Sequence, residues 1–503
     1  MELCLKPSEI ACYMPCFSQT VRKEETMDSV VPDSMPDIGE ILCTSGNILI
    51  RSKDVGEGRV RLEANIPARI GYAPEEGEGC CCLEVNLPVY LSLEDEAITE
   101  QSLCVTELSL AALETKILNP RKISVRAEAL CSVACYQPSS LSFSGLPAQG
   151  VEGINLLERQ VAITPVCAVT EKTFVLTDEF TIPAASTPPA ALLGQSIQLQ
   201  VEELKPVGTK LIVKGSAKSA LLYTMEDMTV GALDFTSAFS QIVELDTLPE
   251  DSFSSVRLLL SGAYYDLAAA DRQAGAMELH IVAQVLVYGP AEPACLVDAY
   301  SNRYALNVVQ APRTLTRILR SVSLKETLRE PLTTPVPVAE ILQGSYVPGS
   351  VQTAEGTVTV PIAVSVYYRD SGGALGSVSR TLTLRFTQKL EEGESLEAVD
   401  VTGQELYLAP TASGMELRLT LEIRAFLWKS DTLLCIQQLE YNEAEVMDLS
   451  DRPTLVILRA ASGDDLWALA KEHVSTVEAI RQANGLDQLT GSWEKLLLIP
   501  KTV

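Results

Sequence analysis

The chain has 503 residues, with 66 acidic against 39 basic side chains and a net charge of −27. That field repels a nucleic-acid backbone and an anionic membrane surface, and no Lys/Arg stripe offsets it. A hydrophobic content of 47% with 21% charged residues argues against wholesale disorder and leaves room for about three or four domains of about 150 residues.

The first residues, MELCLKPSEIACYMPC, place Glu2 where a signal peptide needs basic residues, and no adequate apolar stretch follows. Nowhere do about eighteen apolar residues run together, so no transmembrane helix is expected, and the chain is expected to stay in the cytosol. The 13 cysteines are odd in number and crowd toward the start, with Cys80, Cys81 and Cys82 adjacent. In a retained chain this favours free thiols. Cys12 and Cys16, or Cys131 and Cys135, lack His and Cys partners at ligand spacing, so no metal site is expected. Cys131 and Cys135 alternate with Ile123, Val125, Ala127, Ala129 and Val133, as small hydrophobes on one face of a strand.

The chain then repeats itself at a period of about 150 residues. Each unit opens with a strand-like segment and a short, acidic, Pro-punctuated link: KEETMDSVVPDSMPDIGEIL, TDEFTIPAASTPPAALLGQS and LKETLREPLTTPVPVAEILQ. Pro32 and Pro36, Pro183 and Pro188, and Pro335 and Pro337 correspond, followed by Ile41-Leu42, Leu192-Leu193 and Ile341-Leu342. A strong strand follows each link. Val60, Leu62, Ala64, Ile66, Ala68, Ile70 and Tyr72 alternate with polar or small residues, as do Leu211 to Tyr223 and Val358 to Tyr368. All three runs end on a tyrosine that belongs to the core. Period two buries one face and wets the other, the mark of an antiparallel sheet or sandwich.

Each unit closes on a second long alternation, Ile123 to Cys135, Met277 to Val287 and Met415 to Leu427. Turns at Asn119-Pro120, Ala274-Gly275 and Ser413-Gly414 feed them. Ser371-Gly372-Gly373 and the stretch Ser345 to Gly349 read as hairpin loops, with no Lys-Ser/Thr after them to cradle a phosphate. The expected units span 1–145 (core 28–112), 146–294 and 295–445, with Asn442 to Arg452 as an acidic linker. The expected fold is therefore mainly β: three tandem antiparallel sandwich-like repeats and a small terminal domain at 453–501.

That terminal stretch runs strand, helix, helix, strand. Leu455 to Leu458 is a short apolar strand, and Ser462-Gly463-Asp464 turns the chain into a helix starting near Asp465. Leu466, Trp467, Leu469 and Ala470 give this helix an apolar face, on which Trp467 reads as core. Ser475 and Glu478 have capping-box spacing for a second helix, which Asn484-Gly485 ends, and Leu496 to Ile499 is the closing strand.

Catalysis finds no residues to carry it. His280 and His473, the only histidines, fall in different units and read as structural or solvated, so neither a general base nor a triad is proposed. Glu75-Glu76 and Glu391-Glu392 read as solvated charge in turns. No catalytic residue and no cofactor is expected.

The ordered residues Ser462-Gly463-Asp464, Leu466-Trp467, Ala470-Lys471, Thr476-Val477-Glu478, Ile480, Asn484-Gly485-Leu486 and Leu498-Ile499-Pro500 resemble the LysM family. LysM modules mostly bind N-acetylglucosamine polymers such as peptidoglycan in a shallow groove. Carried over, that groove is lined by Gly463, Asp464, Asp465, Leu466, Asn484, Gly485, Leu486 and Asp487. Two places depart from the family pattern: Asp465 stands where Thr is usual, and Trp493-Glu494 where Pro-Gly is usual. Both change the charge and shape of the rim, and Trp493 is the expected exposed anchor for a protein partner, with Glu494 beside it.

The signature Val31, Pro32, Pro36, Ile38, Ile41 and Leu42, with the tyrosine-ended strand after it, resembles the SPOCS (DUF3794) domain of spore-forming Firmicutes. Units two and three keep its spacing and lose parts of its signature. Several such domains before one LysM module is the layout of SipL-like spore morphogenetic proteins. The resemblance implies a non-enzymatic sporulation scaffold in the mother-cell cytosol that helps anchor the spore coat to the forespore surface. Its implied partner is the ATPase that polymerises as the basement layer of the coat, bound through the LysM region. The alternative is a peptidoglycan-binding wall or cortex protein.

Overall fold

The structure, a computed structural model, describes residues 1–76, 79–183, 187–267, 274–459, 465–486 and 496–502. Two short helices aside, the described residues are strands and their connections, so the protein is mainly β. Among the described residues no helix is long and apolar enough to cross a membrane.

The first strands are β1 (Lys6–Val30), β2 (Ile38–Ser45), β3 (Leu49–Gly56), β4 (Arg59–Pro74), β5 (Cys81–Glu94), β6 (Leu103–Asn119) and β7 (Lys122–Gly145). β7 lies between β1 and β6, while β4 pairs with β5 on one edge and with β2 and β3 on the other, all antiparallel. The alternating residues of the two sheets meet face to face. Ile66, Ile70 and Tyr72 of β4 and Leu87 of β5 pack with Ile123 and Val125 of β7, all fully buried. Each such side chain contributes about 1.5–3 kcal/mol through burial. Tyr72 keeps its polar tip satisfied by donating its hydroxyl to Pro36 O at 3.0 Å.

Next come β8 (Ile154–Gln160), β9 (Val166–Thr181), β10 (Pro189–Val207), β11 (Lys210–Met225), β12 (Val230–Glu244), β13 (Phe253–Asp266) and β14 (Ala274–Tyr288). β14 lies between β9 and β13, and β11 between β10 and β12. Their shared core holds Leu211, Val213, Leu221 and Tyr223 against Leu279, Ile281 and Val285. Tyr13 of β1 pairs with Val166 of β9, which joins the β7 and β14 sheets into one of six strands.

The third group is β15 (Ala294–Ser301), β16 (Tyr304–Thr333), β17 (Val338–Pro348), β18 (Gln352–Ala354), β19 (Thr357–Asp370), β20 (Leu375–Thr387), β21 (Glu394–Thr411) and β22 (Gly414–Val446). β22 lies between β16 and β21, and β19 pairs with β20 on one edge and with β17 and β18 on the other. Val358, Val360, Ile362 and Val366 of β19 face Leu417, Leu419 and Leu421 of β22. β15 pairs instead with β8, far back in the chain, so the boundary drawn at 294/295 falls at the start of this strand. Leu42, Leu193 and Leu342, at corresponding places in the sequence, come together in one apolar cluster with Cys43 and Tyr367.

Three expectations are corrected. The Pro-punctuated links are mostly strand: Lys23 to Val30 ends β1 and Ile38 begins β2, and the third link is taken up by β16 and β17 in the same way. Ser345 to Pro348 belongs to β17 rather than to a hairpin loop, and Asn442 to Val446 to β22 rather than to a linker. In each case the ladder satisfies the backbone while one face stays wet, so polar and proline residues sit in strands where composition alone reads loop.

The terminal elements are β23 (Leu455–Arg459), α1 (Leu466–Glu472), α2 (Val477–Asn484) and β24 (Leu496–Pro500), with β23 and β24 antiparallel. Leu466, Leu469, Ala470, Ile480, Leu497 and Ile499 make their core. Asp465 caps α1 by accepting the Trp467 N–H at 3.1 Å. Thr476, not Ser475, caps α2, accepting the Ala479 N–H at 3.1 Å. Ser475 is fully buried and donates its hydroxyl to Pro500 O, which takes it out of the cap. Gly485 ends α2 at φ 60°, the left-handed conformation that glycine adopts without strain.

Candidate functional site

The terminal elements do not stand free; they are seated on β15. Trp467 and Lys471 are four apart on α1 and so share a face. Both reach one carboxylate. Trp467 Nε1 donates to Asp298 Oδ2 at 2.8 Å, and Lys471 Nζ donates to Asp298 Oδ1 at 2.7 Å and Oδ2 at 2.9 Å. Tyr300, two residues on and so on the same face of β15, donates its hydroxyl to Ser475 O at 3.0 Å. Its ring meets the Trp467 indole edge to face, with centroids 4.8 Å apart at 69°. Asn302 closes the contact by donating Nδ2 to Thr502 O at 3.0 Å and Oγ1 at 2.9 Å.

The electrostatics follow from this geometry. Burial on its own raises the Asp298 carboxyl, but the hydrogen bonds from Lys471 and Trp467 outweigh it and hold the group below the usual carboxylate range. Burial first, and the Asp298 charge second, push the Tyr300 hydroxyl up, so it stays protonated and donating.

The expected groove residues fall at the start of α1 and the end of α2. Asp465 is occupied as a cap, Leu466 is buried at 1% exposure, and Leu486 is half-buried against the same apolar cluster. Asn484 ties α2 to β24: its Oδ1 accepts the Leu498 N–H at 2.8 Å, while Nδ2 donates to Leu498 O at 2.6 Å and Ile480 O at 2.7 Å. Gly463, Asp464, Asp487, Trp493 and Glu494 lie outside the described residues. Trp467, read from the sequence as core, packs half-buried on Tyr300 and is shared between the helix and β15.

Asp298 and Tyr300 are not singled out in the sequence, and Lys471 appears there only as part of the LysM-like pattern, with no partner assigned. The one trace of the first two is the lone charge in the apolar run ACLVDAYS of β15, an acid with no local partner. The histidines stay apart: His280 Nε2 lies 2.6 Å from Glu278 Oε1 on β14, and His473 caps the end of α1.

A cleft of about 570 Å³ opens where β6, β13 and β21 approach β10 and β17. Its charges are largely matched to one another. Arg257 Nη1 lies 3.4 Å from Glu107 Oε2, Arg424 donates to Asp400 Oδ2 and Val201 O at 2.6 Å each, and Trp428 Nε1 donates to Glu397 Oε2 at 2.8 Å. Glu397 is open to the cleft, yet protein crowds it on most sides, and that crowding raises its carboxyl against the pull of Trp428 and Arg257.

The 13 cysteines are all free thiols. Among the described residues, no three or more His, Cys, Asp or Glu side chains are grouped to hold a metal ion. No family model, no curated protein and no solved structure matches the chain.

Proposed function

We propose that this chain is a non-enzymatic scaffold: three copies of one β unit, spanning 1–145, 146–294 and 295–445, carry a LysM-like clasp at 453–501 that grips a protein partner. In support of the copies, β7, β14 and β22 each lie between the first and the next-to-last long strand of their group, and Leu42, Leu193 and Leu342 meet. On the resemblance to SipL-like proteins, the partner is the ATPase that forms the basement layer of a spore coat, met in the mother-cell cytosol at the forespore surface.

The observation that favours a polypeptide over a glycan is Asn484. Its amide is committed to Leu498 and Ile480, and one Asp465 oxygen to the Trp467 N–H, so among the described groove residues the rest of the Asp465 carboxylate is the side-chain polar capacity left for sugar hydroxyls. A groove with little free polar capacity suits apolar contact with a protein surface.

Co-sedimentation of the full chain with insoluble peptidoglycan, beside capture by the purified basement-layer ATPase, tests this reading. Capture by the ATPase without sedimentation is the expected result. Saturable sedimentation with no capture overturns it and leaves the wall-binding alternative.

A further inference from the structure

Three thiols lie together in the first β group. Cys104 on β6 and Cys135 on β7 are direct cross-strand partners, so their side chains share a face of the sheet. Partners in an antiparallel ladder have Cα atoms about 4.5 or 5.5 Å apart, inside the window of about 4.4–6.8 Å that a disulfide spans. Cys16 sits at the irregularity between Pro15 and Phe17 of β1 and approaches Cys135 O at 3.4 Å and Ser102 Oγ at 3.8 Å. Both partners are enclosed, Cys104 at 7% and Cys135 at 0% exposure, while Cys16 is half-buried and marks the side nearer solvent.

The two sulfurs are not equivalent. Hydrogen bonding with Cys135, helped by the nearby Lys53 ammonium, holds the Cys104 thiol below its usual range against burial and the Glu171 charge. The same bond and burial push Cys135 up. Lys53 is itself fixed, donating to Cys104 O at 2.7 Å and to Gln284 Oε1 at 3.3 Å.

We propose that Cys104 and Cys135 form a peroxide-oxidisable dithiol, a modification site that closes to a cross-strand disulfide inside the first β group. The Cys104 sulfur attacks one oxygen of hydrogen peroxide, the O–O bond breaks, and the leaving hydroxide takes up a proton and departs as water. The Cys135 sulfur then attacks the sulfenic sulfur of Cys104, the S–O bond breaks, and a second water leaves with the Cys135 proton. Two thiols lose two electrons and two protons, and one peroxide becomes two waters. Reduction by a dithiol restores both groups.

The test is to treat the full chain with hydrogen peroxide, alkylate it unfolded without reductant, and map the peptides by mass. The expected result is loss of Cys104 and Cys135 from the alkylatable pool, with a linked peptide that dithiothreitol releases. Replacing the attacking second thiol, Cys135→Ala, leaves a dimedone-trappable sulfenic acid on Cys104, and Lys53→Met slows formation of the link. Recovery of both thiols alkylated after peroxide overturns the proposal, as does a link from Cys16 in place of Cys104. So does a Cys104–Cys135 link that forms as readily in guanidinium as in the folded chain. The wild-type map stands whether or not either variant folds.

Discussion

Trp467 on α1 and Asp298 on β15 are joined by a 2.8 Å hydrogen bond across 169 residues of sequence, and Lys471 shares the same carboxylate. This pair fixes how the terminal elements sit on the β groups. Asp298→Ala is expected to weaken that seat by about 1.5–3 kcal/mol, the usual worth of hydrogen bonds to a charged group. Faster amide exchange in α1 and easier proteolysis at 447–453 are the measurements.

The same carboxylate sets a pH dependence. Asp298 is held below the usual carboxylate range in the folded state, so its contribution is present in full above the ordinary aspartate value of about 3.9. It is lost as pH falls through the depressed value. Exchange protection of α1 should therefore hold at neutral pH and drop in strong acid, and the Asp298→Asn chain should show neither the protection nor the drop.

Asn484→Ala removes an amide that serves three backbone groups on two elements. The expected cost is about 1–3 kcal/mol for backbone groups left unsatisfied, focused on α2 and β24. If Asn484 instead served only a bound sugar, thermal melting and exchange of the terminal elements would be unchanged.

Tyr72 separates packing from hydrogen bonding in the first core. Tyr72→Ala opens a cavity among Ile66, Ile70 and Ile123 and is expected to cost about 3–5 kcal/mol. Tyr72→Phe keeps the ring and gives up the bond to Pro36 O, and should cost about 0.5–1.5 kcal/mol. Amide exchange of β4 and β7 in the two variants gives the comparison.

Glu397 is crowded by protein and its carboxyl is raised, so its protonated form favours the folded state. That contribution is present below the ordinary glutamate value of about 4.3 and is lost as pH rises through the raised value. Glu397→Gln keeps the acceptor for Trp428 Nε1. It should raise the melting temperature at neutral pH, and the gain should fade as pH drops below the ordinary glutamate value of about 4.3 and the wild-type group takes up its proton.

The sequence by itself determined the strands. Val60 to Tyr72, Leu211 to Tyr223 and Val358 to Tyr368 alternate because a two-sided sheet must bury every second residue, and all three runs form with their tyrosines inside. Helix ends at Asp465 and Gly485 were legible too, because caps are local chemistry. The tertiary structure alone decided what is distant: that β15 turns back to β8, that Leu42, Leu193 and Leu342 share one cluster, and that Ser475 is drawn inward to Pro500 and leaves the cap to Thr476. It also decided where Asp298 finds its counter-charge, on Lys471 of a helix 173 residues away. Periodicity and capping act over a few residues and are written in the order of side chains. Which faces meet depends on how completed sheets stack, and that is settled only by the burial and hydrogen bonds gained when the whole chain has folded.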